Sequence, residues 1–168
     1  MRLKVCSIII FLLVSLLIIF LIYTKIYNGK NIVINNDNRI YETICGKYNK
    51  GEMKIHSESI FVDIADNNCK RELGLSRKNT LGEDEGMFFT FEKTGNYEFW
   101  MKDMNFPIDV LWVDEDFNIV GIENSLATST YPNIFGGNYF SKYVLELSAG
   151  NSQKNKIKVG DKIVFLKK

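Results

Sequence analysis

A chain of 168 residues holds one ordinary domain plus an accessory segment. Its 21 basic and 20 acidic side chains nearly cancel, which leaves no cationic excess for a phosphate backbone and argues against a nucleic-acid partner. One histidine, His56, and three cysteines, Cys6, Cys45 and Cys69, without CxxC or HExxH spacing, argue against a zinc centre; no metal and no cofactor is expected.

Residues 1–4 carry Arg2 and Lys4 and read as a cytoplasmic tip. Val5 to Tyr23 contains no charge, proline or glycine. As a helix this run spans ~28 Å, close to the hydrocarbon thickness of a bilayer. A backbone in lipid must satisfy its own hydrogen bonds, so a transmembrane helix is expected over 5–23. A cleaved signal peptide is the rival, but Leu21 to Tyr27 offers no small-residue cleavage site. Both readings put the rest of the chain outside the cytoplasm, as a single-pass membrane protein.

Residues 24–55 are punctuated by asparagines and by Gly29, Gly46 and Gly51, and read as a linker or stalk, with Ile32–Ile34 or Ile40–Tyr41 as a possible edge strand. Residues 56–168 carry the regular signals. Ile60, Val62 and Ile64 alternate as in a strand. Asp66 is expected to cap a short helix over Asn67–Leu75. Gly86–Phe91 reads as a strand buried on both faces, Tyr97–Lys102 as another, and Ile108–Val113 as a third behind Pro107. Asp114–Asn118 turns into a strand over Ile119–Glu123, the clearest hairpin. Tyr131–Tyr139 is a long loop with Gly136 and Gly137. Lys142–Ser148 places Tyr143, Leu145 and Leu147 on one face, and Ile163–Leu166 closes the chain. Short strands, one short helix and frequent turns predict a mainly β domain, a compact sandwich or partly open barrel.

The segments DNNCKRELGLSRKNTLGEDEGMFFTF, FWMKDMNFPIDVLWVDEDFNIV, YVLELSAG and IKVGDKI occur in this order. Together they resemble domain-of-unknown-function family 192, also called uncharacterised protein family 0127, over about residues 58–166. The resemblance implies a compact β domain, often behind a signal or anchor segment, and brings no catalytic residues with it. Where many members carry Gly-Arg after the GLS element, this chain has Arg77-Lys78, and lysine lacks the planar fork for a bidentate anion contact.

Asp109 is the most informative side chain. Alternation puts it on the face of Leu111 and Val113, so its carboxylate needs an ion pair, hydrogen bonds or a proton. An ion pair with Arg71 or Lys102, or a backbone clamp, is favoured over an acid/base role. In Phe99–Lys102 one aromatic set faces the core; Trp100 and Lys102 can line a groove, with Asp103 in the loop beyond. Glu85 with Asp103 or Asp109 could form a hydrolytic carboxylate pair if they faced one cleft. Asp114-Glu115-Asp116 reads as a solvated hairpin tip rather than a calcium loop. Cys45 and Cys69 could be bridged, tying stalk to domain, but free thiols are favoured because pairing demands a short Cα separation.

These features give a non-catalytic binding module of the cell envelope, with the bilayer and an envelope glycan, small molecule or protein as partners. The candidate site residues are Arg71, Glu85, Trp100, Lys102, Asp103 and Asp109, bordered by the 131–139 loop. The alternatives are a carboxylate-dependent hydrolase of envelope polymers and a structural assembly protein.

Overall fold

The computed structural model describes residues 15–21, 44–76 and 78–167. Residues 15–21 are helical. The remainder of the 5–23 run, and the proposed stalk up to residue 43, lie outside the described residues. Among the described residues no helix is long and apolar enough to cross a membrane. Residues 45–168 form a compact unit of their own.

That unit is mainly β. Its strands are β1 (Asn49–Ile55), β2 (Glu58–Ala65), β3 (Glu85–Asn96), β4 (Phe99–Trp100), β5 (Ile108–Val113), β6 (Ile119–Leu126), β7 (Ile134–Phe135), β8 (Phe140–Ser148) and β9 (Ile163–Lys167). Two short helices, α1 (Asn68–Leu73) and α2 (Asn151–Lys154), and a 3-10 turn at Thr128–Thr130 complete it. Seven strands make one mixed sheet in the order β6-β5-β8-β3-β2-β1-β9, and β4 pairs with β7 in a separate ribbon. Among the described strands only β2 and β3 pair in parallel. Parallel neighbours cannot be joined by a hairpin, so the chain crosses over between them, and α1 lies on that crossover.

The two edges of the sheet meet at one end. Asn118 bridges Lys162. Ile119 N donates to Asp161 O at 2.8 Å, Gly160 N to Ile119 O at 2.8 Å, and Ile163 N to Phe117 O at 2.8 Å. The backbone groups at this end of both edges are therefore used internally instead of being left to template aggregation.

A curled sheet has two faces, and both are covered. Along β5 all six residues are buried. Leu111 and Val113 join Ile60, Val62, Phe88, Leu145 and Leu147 in one cluster, and Ile108, Val110 and Trp112 join Met87, Phe89, Met101 and Val144 in the other. This is the face assignment expected from alternation. The hairpin β5–β6, the doubly buried start of β3 and the final strand also follow the sequence reading.

Other expectations are corrected. Residues 49–55, read as the end of the stalk, form β1, an interior strand between β2 and β9. The helix is capped by Asn67, whose side chain accepts from Lys70 N at 2.9 Å, whereas Asp66 pairs with the buried Lys70 ammonium at 2.7 Å. An amide can cap and donate at once, and Asn67 also donates to Cys45 O at 3.0 Å. That contact brings the segment ahead of β1 against the start of α1. Cys45 and Cys69 are then 5.2 Å apart at Cα and are disulfide-bonded, which overturns the expectation of free thiols. Closing a loop of 24 residues stabilises the domain by about 3 kcal/mol. The strand expected over Tyr97–Lys102 shrinks to β4, because its partner in the 131–139 loop offers only the two residues of β7.

Candidate functional site

The site is built on β8, between β3 and β5. Its alternation sends Leu145 and Leu147 to the inner cluster and Val144 to the outer one. Glu146 falls on the same face as Val144, with Met87 of β3 and Val110 of β5 as its cross-strand neighbours. Neither can hydrogen-bond. Glu146 is 5% exposed, and its Oε2 is sealed without a partner among the described residues. Burial pushes its carboxyl group up to about 8, so it holds its proton at neutral pH.

Glu146 lines a cleft of about 290 Å³. The cleft is lined by Arg71 to Leu73 of α1 and the turn that follows, Gly74 to Ser76, and by Phe89 and Phe91 of β3, Tyr97 to Trp100, Lys102 and Met104. Arg71 is fixed at the edge. Its guanidinium donates to Thr90 O at 2.7 Å and to Asn68 Oδ1 at 2.5 Å, and lies 5.2 Å from the Phe91 ring centroid. Phe91 in turn stacks on Tyr97 at 3.5 Å, and Phe89 meets Phe99 edge-on at 4.9 Å. Trp100 is 52% exposed.

Trp100 owes its place to the loop behind it. β7 pairs with β4, with Trp100 opposite Ile134. Gly136, at φ +94°, lets this loop lie on Trp112: a Cβ there would come within 2.2 Å of the indole. The Trp112 ring N–H donates to Tyr97 O at 2.8 Å, which fixes the entry to β4. The 131–139 loop, expected to border the site, supports β4 from behind and does not line the cleft.

Of the residues singled out from sequence, Arg71, Trp100 and Lys102 come together on this cleft. Asp103 is exposed beyond it, on left-handed backbone at φ 56°. Asp109 is fully buried and accepts from Ser125 N at 2.8 Å, Gly150 N at 3.0 Å and Ser152 N at 2.8 Å. It is the backbone clamp, joining β5 to the end of β6 and to the start of α2; neither Arg71 nor Lys102 pairs with it. Glu85 accepts from Gly82 N at 3.1 Å and lines a different hollow with Lys50, Asp63 and Lys78. Glu85, Asp103 and Asp109 therefore face no common cleft. Glu146 was missed, although the alternation argument applied to Asp109 identifies it equally well. Among the described residues no three His, Cys, Asp or Glu side chains are grouped to hold a metal.

The family model of domain-of-unknown-function family 192, described as "Uncharacterized ACR", matches residues 51–165. The chain belongs to this family. The family 192 match reaches back into β1, which the resemblance read from sequence stopped short of. A crystal structure from Sinorhizobium meliloti 1021, described as a proposed transcription regulator, superposes with a TM-score of 0.67 at 27% identity, covering 71% of this chain and 95% of that one. A protein of unknown function from Novosphingobium aromaticivorans DSM 12444 superposes with a TM-score of 0.61 at 24% identity, covering 69% of this chain and 84% of that one, and supports the fold alone. No curated protein matches the chain.

Glu146 and Asp109, both buried, make opposite predictions. The folded protein holds the Glu146 proton more tightly than the unfolded chain does, so stability is full below about pH 4.5 and is lost as pH rises through about 8. Glu146→Gln removes this loss. Urea unfolding is expected to show the variant near wild type at pH 4.5 and more stable by up to about 4 kcal/mol at pH 9. Asp109→Asn turns an amide donor towards backbone donors and is expected to cost about 2–4 kcal/mol at neutral pH. Equal effects of Glu146→Gln at both pH values, or a neutral Asp109→Asn, would contradict these assignments.

Proposed function

We propose that this protein is a non-catalytic ligand-binding module of the cell envelope, anchored by residues 5–23 and facing outwards, which holds a small molecule or part of a glycan beside Trp100. The observation that carries the binding role is the cleft itself: an exposed indole, the fixed Arg71 guanidinium and the exposed Lys102 at the lining, and an unsatisfied carboxyl group. Binding sites typically combine an apolar wall with a few polar groups that fix orientation. Tryptophan offers a flat apolar face of the kind that packs on a planar or sugar ring. Anchoring rests on the uninterrupted apolar run of 5–23. We read the sheet as a partly open barrel, because its edge strands are tied at one end.

Hydrolysis is the weaker reading, since Glu85, Asp103 and Asp109 point to separate places. The regulator description of the Sinorhizobium meliloti protein is not carried over, because a net charge of +1 supplies little to hold DNA.

A panel of soluble envelope-glycan fragments, read by thermal shift, tests the binding role. At least one fragment is expected to raise Tm, and Trp100→Ala to abolish that rise while leaving the unliganded Tm within a few degrees. A ligand-induced rise that survives Trp100→Ala would move the site elsewhere. Protease added to right-side-out cells is expected to remove residues 56–168; complete protection of that domain would contradict the outward orientation.

A further inference from the structure

The cleft has a polar vacancy of a definite kind. Glu146 makes no hydrogen bond or ion pair among the described residues, and Met87 and Val110 beside it can offer none. A buried polar group left unpaired is costly, and native structures keep few of them. Asp109, one strand away on the opposite face, shows how this sheet satisfies a carboxylate that serves the fold: three backbone N–H groups converge on it. Nothing comparable reaches Glu146.

The surroundings select the missing partner. The charged and titratable groups around Glu146 are Arg71 and Glu72 from α1, Glu98 and Lys102 flanking β4, Tyr97, whose hydroxyl donates to Lys93 O, and the Tyr48 hydroxyl ahead of β1, itself buried without a partner among the described residues. Arg71 and Lys102 balance Glu72 and Glu98, and Arg71 is already committed to Thr90 O and Asn68. An ionised Glu146 therefore leaves the cleft with one net negative charge. An anion entering it meets that charge, whereas a cation is drawn by it and by the negative faces of the lining rings. A neutral hydroxyl gains a single uncharged hydrogen bond, the weaker of the two possibilities.

We infer that the cleft selects ligands carrying a protonated amine, with Glu146 as the buried counter-ion and Phe99 and Trp100 among its aromatic walls. This deepens the binding role proposed above and rests on it. No covalent step is involved. Glu146 releases its proton to solvent as the ammonium group enters, so affinity for an amine rises with pH until Glu146 is ionised without help.

Tyramine and tyrosol make a matched pair of probes, alike in shape and differing in one charge. The full chain in lipid nanodiscs is titrated with each, and binding is read from the NMR shift of the Trp100 indole N–H. At pH 8 tyramine is expected to bind at least about tenfold more tightly than tyrosol. From pH 8 to pH 6 tyramine affinity should fall about fiftyfold, following the ionised fraction of Glu146. Glu146→Gln should abolish both the preference and the pH dependence. Equal affinity for the two probes, or a preference that persists in Glu146→Gln, overturns the inference, and a shift of the Trp100 indole N–H produced equally by tyrosol would still leave the cleft as a binding site. Failure of tyramine to bind overturns the inference too, while the glycan panel judges the broader role separately.

Discussion

A carboxyl group without a partner, held in the middle of a seven-stranded sheet, is the constraint that organises the rest. Glu146 cannot move out, because β8 is paired on both sides, with β3 and with β5. Its cross-strand neighbours, Met87 and Val110, offer it no side-chain partner. The outcome is a group that keeps its proton at neutral pH and lowers stability as pH rises. A small domain closes this deficit with other interactions: two hydrophobic clusters, one on each face, a disulfide across 24 residues, and edge strands tied to each other.

Asp109 and Glu146 sit on adjacent strands but point to opposite faces. The inward carboxylate draws Ser125, Gly150 and Ser152 together, so it links the hairpin, β8 and α2. The outward one meets a cleft. The difference is one of backbone supply: the end of β6 and the 149–152 turn present N–H groups at Asp109, whereas the strands beside Glu146 spend theirs on the ladder. On the outward side the aromatic side chains form a connected chain. Gly136 admits Trp112, Trp112 holds Tyr97 and meets Phe99 at 6.1 Å, and Phe99 meets Phe89. Trp100 sits at the edge of this chain, positioned by β7 rather than by a long strand of its own.

Much of this was legible from residue patterns. Period-two alternation assigned both faces of β5 and the inner face of β8, because interior strands leave no alternative register. It also grouped Trp100 with Lys102. What it lost were long-range pairings. β1 hides behind asparagine and glycine; its Gly51 is needed because Phe165 of β9 would lie 2.8 Å from a Cβ there. The disulfide depends on that strand and on Asn67, so spacing alone could not favour it. β7 has only two residues and exists through its pairing with β4. Glu146 stands among apolar residues of β8, and residue pattern alone does not show that its cross-strand neighbours, Met87 and Val110, offer it no partner.

The titration of Glu146 decides whether its carboxyl group is unpartnered. Selective 13C labelling of glutamate, with Glu146→Gln to assign the resonance, gives the side-chain carboxyl shift as a function of pH. A midpoint near 8 is expected in the unliganded protein. A midpoint near 4.5, the ordinary glutamate value, would mean that water or an unseen partner satisfies the group, and the cleft would lose the feature that distinguishes it from a surface hollow.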